Sequence, residues 1–122
     1  MKSFLLVFIG GGLGSAIRYG IARLLNPYAL TFPYATLLSN VMGCFVLGLV
    51  VGLADSKHLI GSNARLFWAV GFCGGFSTFS TFSQETLHLL NAPQQLMSIL
   101  YVILSVTLCL TAVFTAQWLM KS

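Results

Sequence analysis

Acidic side chains are almost absent from this sequence: Asp55 and Glu85 are the only two among 122 residues. All charged residues together make up 7% of the chain. A water-facing domain of this size needs roughly 25–35% Lys, Arg, Glu and Asp on its surface, so that class is excluded. Metal ligands and nucleophile–base pairs are missing as well. His58 and His88 are isolated, and Cys44, Cys73 and Cys109 have no metal-ligand spacing. An odd number of cysteines, all inside apolar segments, is no disulfide framework; each reads as a small packing residue. No nucleotide-binding motif is present. Enzymatic catalysis therefore lacks its residues, and the chain reads as not an enzyme.

Basic charge is also thin. Six Lys and Arg give a net charge of +4, but they are spread along the chain without clusters or interleaved aromatics, so they mark helix ends and not a nucleic-acid surface. With both termini on one side of a bilayer, that side holds Lys2, Lys57, Arg65 and Lys121, and the other holds Arg23 and Arg18. The bias is small for the positive-inside rule, which leaves room for insertion in both orientations.

What the chain does have is apolar length. Hydrophobic residues make up 57% of it, and its mean hydropathy is +0.92. A helix crosses the hydrocarbon layer with about 20 mostly apolar residues. Four stretches qualify: residues 4–25, 34–54, 66–90 and 95–119. They predict a single all-α transmembrane domain over residues 1–122, with no separate soluble unit. Asn26-Pro27, Thr31-Phe32-Pro33, Asp55-Ser56-Lys57, Gly61-Ser62-Asn63 and Asn91-Ala92-Pro93 punctuate it as helix boundaries should. The alternating ten-residue pattern of a membrane β-barrel is absent. Lys2 and the apolar run after it imitate a secretory signal, but the apolar pattern resumes past Arg18, and the segment is expected to stay as a membrane helix.

Small residues recur at spacing four: Gly10/Gly14, Gly11/Ser15, Gly48/Gly52 and Gly71/Gly75. Such pairs let helix backbones approach closely, and four spans are few to enclose a pathway, so an oligomer is expected. The third stretch carries Gly74-Gly75-Phe76-Ser77-Thr78-Phe79-Ser80-Thr81-Phe82-Ser83. Paired glycine weakens a helix, and a break at membrane depth must be buried or bind something. Oxygen ligands there would suit a hard cation; from the break alone, a kink with hydroxyls bonded to their own helix is the simpler reading. Phe76, Phe79 and Phe82 drift by about 60° per step around a helix, with hydroxyls in the gaps. Phenyl edges are electropositive and can meet a small anion, although lipid-facing rings are the commoner explanation. Thr36, Asn40 and Cys44 form a polar face on the second stretch, and Ser98, Tyr101, Ser105 and Cys109 another on the fourth. Polar stripes on three helices favour a polar pathway over a scaffold.

The segment Gly74–Ser83, the Gly-rich first helix ending in Arg18, and Thr36-Leu-Leu-Ser-Asn40 together closely resemble the CrcB/Fluc fluoride channel family, over essentially the whole chain. The resemblance implies a fluoride-selective channel that exports cytoplasmic fluoride passively and so lowers its toxicity. It implies an antiparallel, dual-topology homodimer in a bacterial inner membrane, with two pores built from both subunits. By the same resemblance Phe79 and Phe82 line the pore, Asn40 helps hold that aromatic box, and Ser80, Thr81, Tyr101 and Ser105 supply hydroxyls. Arg18 stands in the vestibule. A structural sodium ion sits at the dimer centre on the carbonyls of Gly74 and Ser77. Cys109 stands where the family often has serine, and a thiol is a weaker donor. Glu85, three residues after Phe82 and four after Thr81, continues the same face without an assigned role. The alternative is a small proton-coupled multidrug transporter, but that mechanism needs a carboxylate in the first helix, and none is there. An accessory subunit would leave the polar stripes without a purpose.

Overall fold

The computed structural model describes residues 1–25, 32–56, 58–91, 93 and 95–121. Among these, all regular structure is helical. The expected boundary residues Asn26, Pro27, Thr31, Lys57 and Ala92 lie outside the described residues. Helix α1 runs Lys2–Leu25 and α2 runs Tyr34–Ser56. Pro33 opens α2, its carbonyl accepting the Leu37 N–H at 3.2 Å, which suits a residue with fixed φ and no N–H of its own. Helix α3 covers residues 62–76 in three segments of different winding: α-helical Ser62–Arg65, π-helical Leu66–Cys73 and α-helical Gly74–Phe76. Helix α4 follows at Phe79–Asn91, and α5 at Gln95–Lys121. The span expected at 66–90, with a break inside it, is α3 followed by α4, with Ser77 and Thr78 between them.

Among the described residues three helices, α1, α2 and α5, are each long and apolar enough to cross a membrane, with mean hydropathies of 1.5, 2.2 and 2.4. Their outward faces carry large apolar side chains in the open, among them Phe4, Phe8, Ile103, Leu110 and Phe114. Water would not tolerate so much exposed hydrocarbon on one small domain; lipid accepts it. The chain is an all-α, multi-pass membrane protein.

Inside the bundle, glycine sets the spacing. A Cβ on Gly10 would stand 2.5 Å from the Phe67 carbonyl oxygen, and one on Gly71 would stand 2.9 Å from that of Val7. Gly14 and Gly75 are tighter still, against Phe72 O and Gly11 O. Helices α1 and α3 therefore touch backbone to backbone. On the other side α2 meets α5 the same way: a Cβ on Gly48 would lie 2.6 Å from Val113 O. In a membrane such contact replaces the hydrophobic drive that water supplies elsewhere. A smaller hydrophobic cluster of Phe32, Leu89 and Tyr101 fixes α4 against α5 and the start of α2. Its Phe32 and Tyr101 rings meet edge to face at 5.4 Å and 83°.

The double glycine does not itself break the helix. Gly74 and Gly75 are helical, and the chain leaves helical geometry at Ser77, with φ −91° and ψ 154°. Gly75 is occupied with packing against α1, so its missing side chain serves close approach and not a kink. Substituting Gly14 with Ala should lower stability by about 1–3 kcal/mol, the usual cost of overpacking. Gly12→Ala, where nothing lies within 4 Å, should be neutral. Thermal unfolding of the two variants in detergent checks the difference.

Candidate functional site

The interruption at Ser77–Thr78 is built by side chains that stand in for a missing helix turn. Asn40, on α2, brackets one residue's backbone: its Oδ1 accepts the Thr78 N–H at 2.7 Å, and its Nδ2 donates to the Thr78 carbonyl at 3.2 Å. Ser77 closes the end of α3, donating both its N–H and its hydroxyl to the Cys73 carbonyl at 3.0 and 2.7 Å. Thr78 then opens α4 as its N-cap, accepting the Thr81 N–H on its hydroxyl at 3.2 Å, the usual use of a threonine at that position.

These bonds have a consequence for two carbonyls. In a continuous α-helix the Thr78 N–H would bond to the Gly74 carbonyl and the Thr81 N–H to that of Ser77. Both donors are diverted, the first to Asn40 and the second to the Thr78 hydroxyl. Gly74 is exposed, and a Cβ there would meet nothing within 4 Å. The intervening carbonyl of Gly75 has other partners: Arg18 Nε donates to it at 3.0 Å and the Ser15 hydroxyl at 3.4 Å. Arg18 thus neutralises the carbonyl end of α3 from α1.

Beside the interruption lies an open cavity of about 250 Å³, walled by Asn40, Ser77, Phe79, Phe82, Ser105 and their neighbours. Phe79 is 78% exposed, while Phe82 is half-buried and 5.6 Å from it, centroid to centroid. The Ser105 hydroxyl is buried and has no hydrogen-bond partner among the described residues. A buried hydroxyl without a partner is costly.

A second cavity of about 150 Å³ is walled by Arg18, Thr36, Ser39, Thr81, Glu85 and neighbouring residues. Glu85 is its hub. One carboxylate oxygen accepts the Tyr101 hydroxyl at 2.8 Å, and the other accepts that of Thr36 at 3.0 Å. Tyr101, fully buried, joins the two cavities: its ring packs on Phe82 at 5.1 Å while its hydroxyl holds Glu85. Helix α5 is further tied to α4 by Ser98, which donates to the Thr86 carbonyl at 3.1 Å.

The structure therefore brings Asn40, Ser77, Phe79, Phe82 and Ser105 to one cavity and Arg18 and Thr81 to another. Tyr101 lies between them, and Ser80 is exposed, sharing a 3.1 Å hydrogen bond with Thr78. Sequence reasoning missed the central place of Glu85. The signal was there in its spacing from Thr81 and Phe82, but its two hydroxyl partners come from other helices. Removing one of them isolates the bond. Tyr101→Phe should cost about 1 kcal/mol, the scale of interhelical hydrogen bonds in membranes, and a double-mutant cycle with Glu85→Gln in detergent unfolding should show the two changes to be coupled.

Comparison with known proteins supplies relatives along the whole chain. Residues 5–117 match the family model described as CrcB-like protein, Camphor Resistance (CrcB). A protein of Flavobacterium psychrophilum named fluoride-specific ion channel FluC is 40% identical over 122 residues, covering 99% of this chain and 98% of that protein. Proteins of the same name from Chlorobium phaeobacteroides and Pyrococcus abyssi are 43% and 44% identical, covering 99% and 93% of this chain and 94% and 92% of their own lengths. Identity at this level over nearly full length is decisive: the chain belongs to the CrcB family.

Proposed function

We propose that this chain is a fluoride-selective channel, not an enzyme, and that it lets cytoplasmic fluoride leave a bacterial cell through the inner membrane. The observation that carries the reading is the cavity beside the interrupted helix, where Phe79, Phe82 and Ser105 line one space. The relatives named as fluoride-specific channels support it. Fluoride is small and holds its water strongly. A pore must replace that water with several weak donors, since conduction needs entry without a deep well. Electropositive ring edges of Phe79 and Phe82 and hydroxyls of Ser105, Thr81 and Ser80 are donors of that kind. Tyr101, buried between the cavities, spends its hydroxyl on Glu85 and supports the Phe82 ring. Arg18, in the wall of the second cavity, raises the local concentration of anions. The membrane potential is worth about 2.3 kcal/mol per charge per 100 mV, so an open path suffices for export and no energy-coupling site is needed.

The reading extends to a homodimer. Phe79 is exposed and the cavity is open on its side, so a second copy of the chain would close it, in the antiparallel arrangement that a weak charge bias permits. The diverted donors of Gly74 and Ser77 leave two carbonyls per chain turned away from ordinary helical bonding. Two chains would offer four oxygens, a fitting donor set for sodium. Such an ion would neutralise the carbonyl ends of the interrupted helices and hold the two copies in register.

Purified chain alone in liposomes should release trapped fluoride, as read by a fluoride electrode. Phe79→Ile or Phe82→Ile should reduce that efflux at least tenfold while the protein still assembles, because volume is kept and the polar ring edge is lost. Ile103→Val, on the outer surface, should leave it intact. Normal efflux from the Phe79→Ile, Phe82→Ile double variant would overturn the aromatic path. Replacing sodium with a large organic cation should weaken the dimer, measured by cross-linking; an unchanged dimer would remove the ion from the account.

A further inference from the structure

A ladder of aromatic rings runs from the start of α2 to the open cavity. Tyr34 meets Phe32 at 5.1 Å between centroids, and Phe32 meets Tyr101 at 5.4 Å. Tyr101 then meets Phe82 at 5.1 Å, and Phe82 meets Phe79 at 5.6 Å. The last two rings line the cavity, whereas Phe32 is buried and stands in the wall of neither cavity. Its ring contact toward the site is with Tyr101. The backbone fixes Phe32 in place. The Tyr34 N–H donates to the Phe32 carbonyl at 2.9 Å across Pro33, a γ-turn whose φ the proline ring holds.

Tyr101 needs that fixed neighbour. Glu85 holds its hydroxyl at 2.8 Å, but a phenol pinned at its oxygen still turns about its own long axis, a broad torsion in aromatic side chains. Phe32 removes that freedom. The two rings stand at 83°, the edge-to-face geometry that ring quadrupoles favour, and Leu37, Leu89 and Met97 pack in the same cluster. Phe82 packs on the plane so defined, at 47°. We propose that Phe32 is a positioning residue for the open cavity: edge-on to Tyr101, it sets the plane of that ring and, through it, the placement of Phe82. Phe32 itself touches no solute in the cavity. Its effect on flux rests on the fluoride reading; its effect on the Phe82 ring does not.

The test reads the ring directly. The full chain, carrying 4-fluorophenylalanine in place of Phe82 alone, is reconstituted in lipid and followed by fluorine NMR. Phe32→Leu, which keeps an apolar side chain but removes the ring, should move the fluorine signal by more than its linewidth. Phe32→Met should do the same and decides the matter if the leucine variant does not fold. Leu89→Val loosens the same cluster without removing a ring and should leave the signal in place, as should Phe114→Leu on the outer surface. In a Tyr101→Leu background the signal should no longer respond to Phe32→Leu. Fluoride efflux from the unlabelled chain should fall about threefold in Phe32→Leu, because the ring pair sets how much of the time Phe82 is held. An unmoved signal in Phe32→Leu, or an equal movement in Leu89→Val, overturns the positioning role. A response that persists without Tyr101 overturns the relay. A moved signal with undiminished efflux overturns the link to conduction. If the unmodified chain releases no fluoride while the signal responds as described, the conduction reading fails and the relay stands.

Discussion

A single side-chain amide inside the bundle sets the geometry of the site. Asn40 meets both the N–H and the carbonyl of Thr78, doing for that residue's backbone what a continuous helix would have done. Lipid offers nothing to an open backbone group, so a helix can be interrupted at membrane depth only where another element supplies such a partner. With it, α3 can end and α4 begin in a new direction. Without it, the Thr78 peptide would be left unsatisfied, at a cost of about 1–3 kcal/mol per group. The turn of Phe79 and Phe82 toward the cavity, the capping of α4 by Thr78, and the diverted donors of Gly74 and Ser77 all follow from that bracket.

Close packing makes the bracket possible. Helix α3 lies backbone to backbone on α1 through Gly10, Gly14, Gly71 and Gly75, which places the Gly75 carbonyl within reach of Arg18 and Ser15. A Cβ on Gly43 of α2 would stand 3.3 Å from the Ser77 side chain, so that helix too passes close enough for its amide to arrive. Polar groups then pair across helices in sequence: Arg18 with Gly75, Asn40 with Thr78, Thr36 and Tyr101 with Glu85. The outer faces carry hydrocarbon, and the polarity is kept inside, where hydroxyls and ring edges can face a solute.

Much of this was legible in the sequence. Apolar length and scarce charge decide the all-α membrane class, and the spacing of glycines foretells which faces pack. Asn40 at membrane depth demands a partner, and the register of Thr36 and Tyr101 places them inward. The position of the break was harder to read. Gly74-Gly75 is the obvious weak point, yet Gly75 is taken up by contact with α1, and the interruption falls at Ser77 and Thr78, whose hydroxyls close α3 and cap α4. The role of Glu85 was also hidden, because a carboxylate near a helix end looks solvated until Thr36 and Tyr101, distant in sequence, are brought to it.

The central claim is that the Asn40 bracket holds the conducting geometry, and it is tested most directly by removing the bracket alone. Fluoride efflux should be measured from liposomes containing Asn40→Ala protein whose helix content and assembly match the unmodified chain. The account predicts that efflux falls at least tenfold, because the Thr78 peptide must find another partner and Phe79 and Phe82 lose their placement. Efflux at the unmodified rate from folded Asn40→Ala protein would contradict it.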